Sequence, residues 1–327
     1  MPLSNSAVSA GRILPRLIIL ILLVCNLSGA GDAFSVTEAA SKHRKASRLH
    51  GQPSTLVKKL LDLQSEPDFE EEQEEQFEPE LQALIAEVKH GMRDLIFSEL
   101  KNQPADRDAA EIRRAILRRF RNAGLKKRKT PPDGCLCFAH DFGVRVETTP
   151  GGHADLLAVV LNIYIAWGDD SSLYIFRRQG AGWKIALVDE VNWYDSPDES
   201  QSWFRYRISP RGRDGSWFVV TGSVNNHLVS AWQDVTYTAQ APSDDPLRPR
   251  LLARNRQFAY IHNTEDHRFA YRFKVTAESF AVSFVHDIEY EAIWASHGYR
   301  VIDGHAYEEP PVCYLGRLNG KVIVCPE

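Results

Sequence analysis

Ala158-Val159-Val160-Leu161-Asn162-Ile163-Tyr164-Ile165-Ala166-Trp167, followed by Gly168-Asp169-Asp170-Ser171 and Leu173-Tyr174-Ile175-Phe176-Arg177-Arg178, is the stretch on which the fold turns. Most of its apolar residues are β-branched or aromatic, and Gly, Asp and Ser separate them. That pattern predicts strands from Ala158 to Trp167 and from Leu173 to Arg178, with a turn at residues 168–171. Gly180-Ala181-Gly182 marks the next turn, and Trp183 to Asp189 the next strand. Three consecutive strands with short connections make an antiparallel meander.

The same rhythm runs to the C-terminus. Further strands are expected at 203–208, 217–224, 228–238, 251–262, 269–275, 280–284, 288–295 and 299–302. Roughly a dozen strands with no helical stretch between them predict an all-β domain over residues 135–327. A sandwich, an open barrel or a small propeller would satisfy the pattern.

Gly151-Gly152-His153-Ala154-Asp155-Leu156-Leu157-Ala158-Val159-Val160, with Leu173-Tyr174-Ile175-Phe176 and Gly182-Trp183, resembles one blade of an FG-GAP-type β-propeller repeat. The resemblance covers about 40 residues. The aspartate-rich calcium loop of that family is missing, and no second copy stands out. It implies an exported β-meander used for binding, and it carries over no functional residues.

N-terminal to this domain the period changes to that of a helix. Leu81, Leu84, Ile85, Val88, Met92, Leu95, Ile96 and Leu100 recur three and four residues apart, which predicts a helix from Pro79 to about Lys101. Asp108 with Glu111 is an N-cap signal. Ile112, Ile116, Leu117 and Phe120 give a buried stripe, and Gly124 a stop. Residues 80–130 are thus expected to form a helical hairpin. Its second helix is strongly basic: Arg113, Arg114, Arg118, Arg119 and Arg121 precede Lys126-Lys127-Arg128-Lys129.

Residues 31–79 read as a flexible Ser/Lys-rich segment leading into an acidic linker, with short helices allowed near Ser35 and from Thr55 to Leu63. Between Glu66 and Glu80, nine of fifteen side chains are acidic, a density that self-repels. Residues 1–30 carry Arg12 and Arg16, an apolar run from Leu17 to Cys25, and the small residues Ser28-Gly29-Ala30. This is the form of a cleaved signal peptide, with cleavage after Ala30 or Ala33. The rival is a membrane anchor, but the apolar core is about half of the ~20 residues a span needs. A lipid-modified Cys25 is the third option, disfavoured by the β-branched Val24. Removing residues 1–30 would lower the formal charge of −4 by two more units. So acidic a protein is not a general polyanion binder. Residues 31–327 hold no glycosylation sequon, in keeping with a bacterial source and a periplasmic or extracellular address.

Export makes disulfides the leading reading of Cys135, Cys137, Cys313 and Cys325. Cys313 to Cys325 reads as a β-hairpin around Asn319-Gly320. A three-residue loop, 318–320, would set Arg317 opposite Lys321 and Cys313 opposite Cys325, with Cβ atoms ~4.5–5.5 Å apart. The 313–325 pairing is favoured. Cys135 and Cys137 would pair with each other, stay free, or cross to the C-terminal segment.

Several sites are conceivable beside bland alternatives. Cys135, Cys137 and His140 offer soft ligands, but Cys-x-Cys lacks zinc spacing, so no metal is assigned. His286, His297 and His305 match no ligand motif. Glu289 with Glu291, which share a strand face, and Asp189 with Glu190 are the candidate hydrolytic carboxylates; exposed strand carboxylates are commoner. Trp193 and Tyr194, in the polar cluster Asn192 to Asp195, are the candidate binding loop, while tryptophans 167, 183, 203, 217, 232 and 294 suit a core. The basic helix over residues 111–129 could lie on an anionic membrane, or pair with the acidic run. Nucleic acid is disfavoured for an exported protein, and no cofactor is implied. Two functions follow: a non-catalytic binding module with its β-domain on a helical stalk and a glycan or protein ligand, or an exported hydrolase of glycans or peptides.

Overall fold

The computed structural model describes residues 53–64, 79–127, 141–149, 153–165, 168–190, 201–225, 232–260, 271–287 and 292–325. They form three helices: α1 (Pro53–Leu63), α2 (Pro79–Lys101) and α3 (Ala109–Asn122). Three antiparallel sheets follow in chain order. Sheet A is β1 (Phe142–Thr148), β2 (Leu156–Ile165), β3 (Gly168–Gln179) and β4 (Gly182–Glu190). Sheet B is β5 (Gln201–Ile208), β6 (Val219–Asn225), β7 (Trp232–Ala241) and β8 (Arg250–Tyr260). Sheet C holds β9 (Tyr271–Val275), β10 (Ser279–Asp287), β11 (Ile293–Ile302), β12 (His305–Glu308), β13 (Val312–Leu315) and β14 (Lys321–Ile323). It runs in the order β14-β13-β11-β10-β9, with β12 also on β11. The fold is mainly β, as the alternation predicted, and the sheets stack as sandwiches.

Side-chain alternation explains the stacking. Along β2, Leu157, Val159, Leu161 and Ile163 belong to one core cluster, and Leu156, Ala158 and Val160 to another. Successive residues of a strand point to opposite faces, so a strand apolar at every position must be covered on both sides. One cover is helical: Val88, Met92 and Ile96 of α2 and Ile112, Ile116 and Phe120 of α3 share the first cluster. The other is sheet B, through Val219 with Trp217 beside it, and through Phe204, Tyr206 and Ile208 of β5. The opposite face of sheet B, including Val220, Val235 and Tyr237, packs on Phe280, Val282, Phe284 and Tyr299 of sheet C. The order of layers is helices, sheet A, sheet B, sheet C. Sheets B and C approach closely at Gly222, where a Cβ would lie 2.7 Å from Phe273 Cζ.

The helices are therefore a layer of the fold and not a stalk. Their ends follow the local signals. Asp108 accepts a hydrogen bond from the Glu111 N–H at 2.7 Å, and Gly124, with φ of 86°, carries the chain out of α3.

Three local expectations change. Residues 168–171 are strand, not turn: Asp169 pairs with Tyr164 and Asp170 with Ile163, which confines the connection to residues 166–167. Asp170 tolerates the interior because Lys89 of α2 reaches it, with Nζ 3.0 Å from Oδ1 and both side chains fully buried. In the C-terminal hairpin, Leu315 pairs with Lys321 and Cys313 with Ile323, so the loop has five residues, not three. Gly316 and Asn319 supply its positive φ values. The shift against the expected register is two residues, which keeps each side chain on its face. Cys325, just beyond β14, still meets Cys313: the sulfurs are 2.15 Å apart and the Cα atoms 5.1 Å. Residues 293–295 and 299–302, expected in two separate strands, join in the single strand β11, and residues 288–291 lie outside the described residues. Residues 156–160, 173–176 and 182–183 lie in β2, β3 and the start of β4.

Candidate functional site

Arg114, Leu117, Arg118 and Arg121 are spaced three and four residues apart, so they share one face of α3. That face lies beside the Ile112, Ile116 and Phe120 stripe, which is spent on the core against sheet A. Beyond Gly124 the chain turns back, and the Leu125 N–H donates to the Phe120 carbonyl at 3.0 Å. The start of β1 closes the far side, with Phe142 edge-on to Phe120 at 5.8 Å between ring centres. The result is a groove of about 620 Å³. Its apolar wall is Leu117, Phe120, Leu125 and Phe142. Its rim is cationic: Arg114, Arg118, Arg121, Lys126 and Lys127.

The rim charges are unequally committed. Lys127 pairs with Asp141 and lies 5.6 Å from the centre of the Phe142 ring. Arg114 sits 3.9 Å from Glu111. Arg118, Arg121 and Lys126 are exposed and form no ion pair among the described residues. Cations near a helix C-terminus also complement its dipole, typically by ~0.3–1 kcal/mol, and that alone would justify one or two of them. It does not account for an apolar wall between them. Arg113 is turned to the fold instead, where its Nε donates to the Val144 carbonyl at 2.7 Å and occupies an acceptor on β1.

A second polar cluster joins α2 to sheet A. Glu190 accepts from Arg93 and from the Tyr174 hydroxyl, each at 2.8 Å, and Lys89 pairs with Asp170. Burial, then the Glu190 carboxylate, holds the Tyr174 hydroxyl well above its ordinary pKa. His90 has its pKa lowered by partial burial and by Arg93. These groups bind one another across the helix–sheet interface, so the cluster reads as a structural lock.

Asp189 and Glu190 are consecutive on β4 and therefore point to opposite faces. Glu190 faces the helices. Asp189 faces sheet B, where it accepts from the Thr221 hydroxyl at 2.8 Å and the Gln240 amide at 3.1 Å. The two cannot flank one bond as paired hydrolytic carboxylates must. Burial raises the pKa of Asp189, although both donors oppose the shift. The folded chain thus holds that proton more tightly than the unfolded chain, and stability falls as pH rises above the ordinary value of 3.8. Asp189→Asn is expected to raise the thermal midpoint at neutral pH and to flatten its dependence on pH above 3.8. Melting curves across that range check it; a lower midpoint at neutral pH would show that the carboxylate stabilises.

Glu289, Glu291, Trp193, Tyr194, Cys135, Cys137 and His140 lie outside the described residues. Trp183, Trp217 and Trp294 are in the core. His297 stacks on Phe284 at 5.4 Å, and His305 is exposed. Among the described residues, no three His, Cys, Asp or Glu side chains are grouped to hold a metal ion.

The groove is only half legible in the sequence. The helical period places Leu117 in the buried stripe; it is instead half-buried among the arginines. Its spacing from Arg114, Arg118 and Arg121 is the available signal. The approach of Leu125 and Phe142 depends on a chain reversal that leaves no periodic mark. Compared with known proteins, the chain matches no family model, no curated protein and no solved structure.

Proposed function

We propose that this chain is a non-catalytic binding module of an exported protein, and that the groove beside α3 is its recognition surface. The observation that carries the reading is the apolar wall of Leu117, Phe120, Leu125 and Phe142 inside a rim of five cations. Small-molecule sites are concave, mostly apolar and ~300–1,000 Å³, with a few polar groups that orient the ligand. Its ligand carries negative charge beside an apolar body. A helix lying on a membrane is a poorer reading, since the Ile112, Ile116 and Phe120 stripe is already buried. The hydrolase reading gains nothing from Asp189 and Glu190, which stand back to back.

Anilinonaphthalene sulfonate, an aromatic apolar anion, tests the proposal. The folded chain should enhance its fluorescence saturably. Arg118→Glu with Arg121→Glu should weaken binding by about tenfold or more, because like charge replaces opposite charge at the rim. Equal binding to both proteins, with circular dichroism unchanged, would sink the reading. Export rests on residues 1–30. N-terminal sequencing of protein recovered outside the producing cytoplasm should begin near Gly31 or Phe34; an intact Met1 in membrane fractions would overturn it.

A further inference from the structure

We infer that the ligand of this groove is a free single-chain anionic amphiphile, an alkyl or acyl chain ending in a carboxylate or phosphate. The inference rests on the binding reading above and names the ligand class. Hydrogen-bond chemistry separates this ligand from an acidic peptide. Arg and Lys donate hydrogen bonds and accept none, and Leu and Phe do neither. Among the described residues, the side chains that line the groove therefore hold no acceptor. A peptide laid there would find no side-chain acceptor for its main-chain N–H groups among the described residues, and unmet donors are costly wherever water is excluded. On the adjoining strand, Arg113 already takes the Val144 carbonyl, an acceptor that an added peptide strand could have used. An alkyl chain has no polar groups to satisfy along its length, and its head group needs donors only. The rim offers such donors: Arg118, Arg121 and Lys126 are exposed and form no ion pair among the described residues. The groove also has the right extent. Arg114 to Arg121 spans two turns of α3, ~11 Å, so cations flank the apolar wall along a chain-length path. A bilayer is the wrong source, because Phe120, Leu125 and Phe142 are recessed, at 1%, 1% and 4% exposed, and present no protruding apolar face to immerse.

The test is displacement of anilinonaphthalene sulfonate from the full chain, with each competitor below its micelle concentration. Dodecyl phosphate should displace the dye at a single site. Dodecyl maltoside, with the same tail and no charge, should be weaker by about tenfold or more, and inorganic phosphate should displace nothing over the same range. Phosphatidylglycerol vesicles should not sediment the protein. In Arg118→Gln/Arg121→Gln, an uncharged pair at exposed positions, dodecyl phosphate should lose most of its advantage over the maltoside. Equal displacement by the maltoside would overturn the anionic head. Displacement by a synthetic peptide of residues 66–80 but not by dodecyl phosphate would overturn the ligand class and leave the binding reading standing. Sedimentation with vesicles would overturn the free ligand in favour of a membrane. No dye binding to the wild-type chain would remove the binding reading itself.

Discussion

Lys89→Met is expected to destabilise the protein by about 3–5 kcal/mol, the usual cost of removing one partner of a buried ion pair. Lys89 and Asp170 are both fully buried, 3.0 Å apart, and join α2 to β3. The variant withdraws the cation from a carboxylate that water cannot reach. Most of the loss comes from leaving the buried carboxylate without this cation and little from the missing attraction, because a well-made pair roughly breaks even against its own desolvation. The companion variant separates the two causes. Lys89→Met with Asp170→Leu should recover most of the loss, since apolar replacements of a whole buried pair are often neutral or better. Denaturant unfolding of the three proteins checks this. A loss under about 1 kcal/mol for Lys89→Met would place the pair in effectively solvated surroundings.

Phe280→Ala should cost about 3–5 kcal/mol, within the range for a buried aromatic truncated in a core. Phe280 is 2% exposed, stacks on Tyr299 at 4.7 Å and meets Phe218 at 5.9 Å. It therefore links sheet C to itself and to sheet B. Tyr299 has a second tie, since its hydroxyl lies 3.0 Å from that of Tyr237, so the site cannot simply collapse into the space left. By contrast, Leu117→Ala on the groove wall should cost much less, because Leu117 is only half-buried. Thermal melts of both variants would show the difference. Near-equal losses would mean that the groove is part of the core.

The elements are legible in the sequence for local reasons. A strand buried on both faces has to be apolar throughout, and the run from Leu156 to Ile165 is close to that. The ends of α3 are legible because a cap acts over three residues: Asp108 and Glu111 are neighbours in sequence and in space. Residues 168–171 mislead for the converse reason. Gly-Asp-Asp-Ser has turn chemistry, and Lys89, which helps a buried Asp170 to be tolerated, is eighty-one positions away in sequence. The hairpin at Cys313 lies between these cases. Its partners are legible from even spacing, but its loop length depends on positive φ at Gly316 as well as Asn319.

The amphipathic period of the helices, the alternation of the strands and the pairing of Cys313 with Cys325 are all present in residue order. Each depends on groups a few positions apart, at distances that backbone geometry sets. Three matters are decided only in three dimensions: the order of the layers, the opposed duties of Asp189 and Glu190, and the conversion of a basic helix into a groove. Each depends on what a distant segment places against a given face. Asp189 meets Thr221 and Gln240 from sheet B, Glu190 meets Arg93 from α2, and Phe142 of β1 closes the groove beside Arg118 and Arg121. A period in the sequence tells which side chains share a face; it carries no information about which face they will meet.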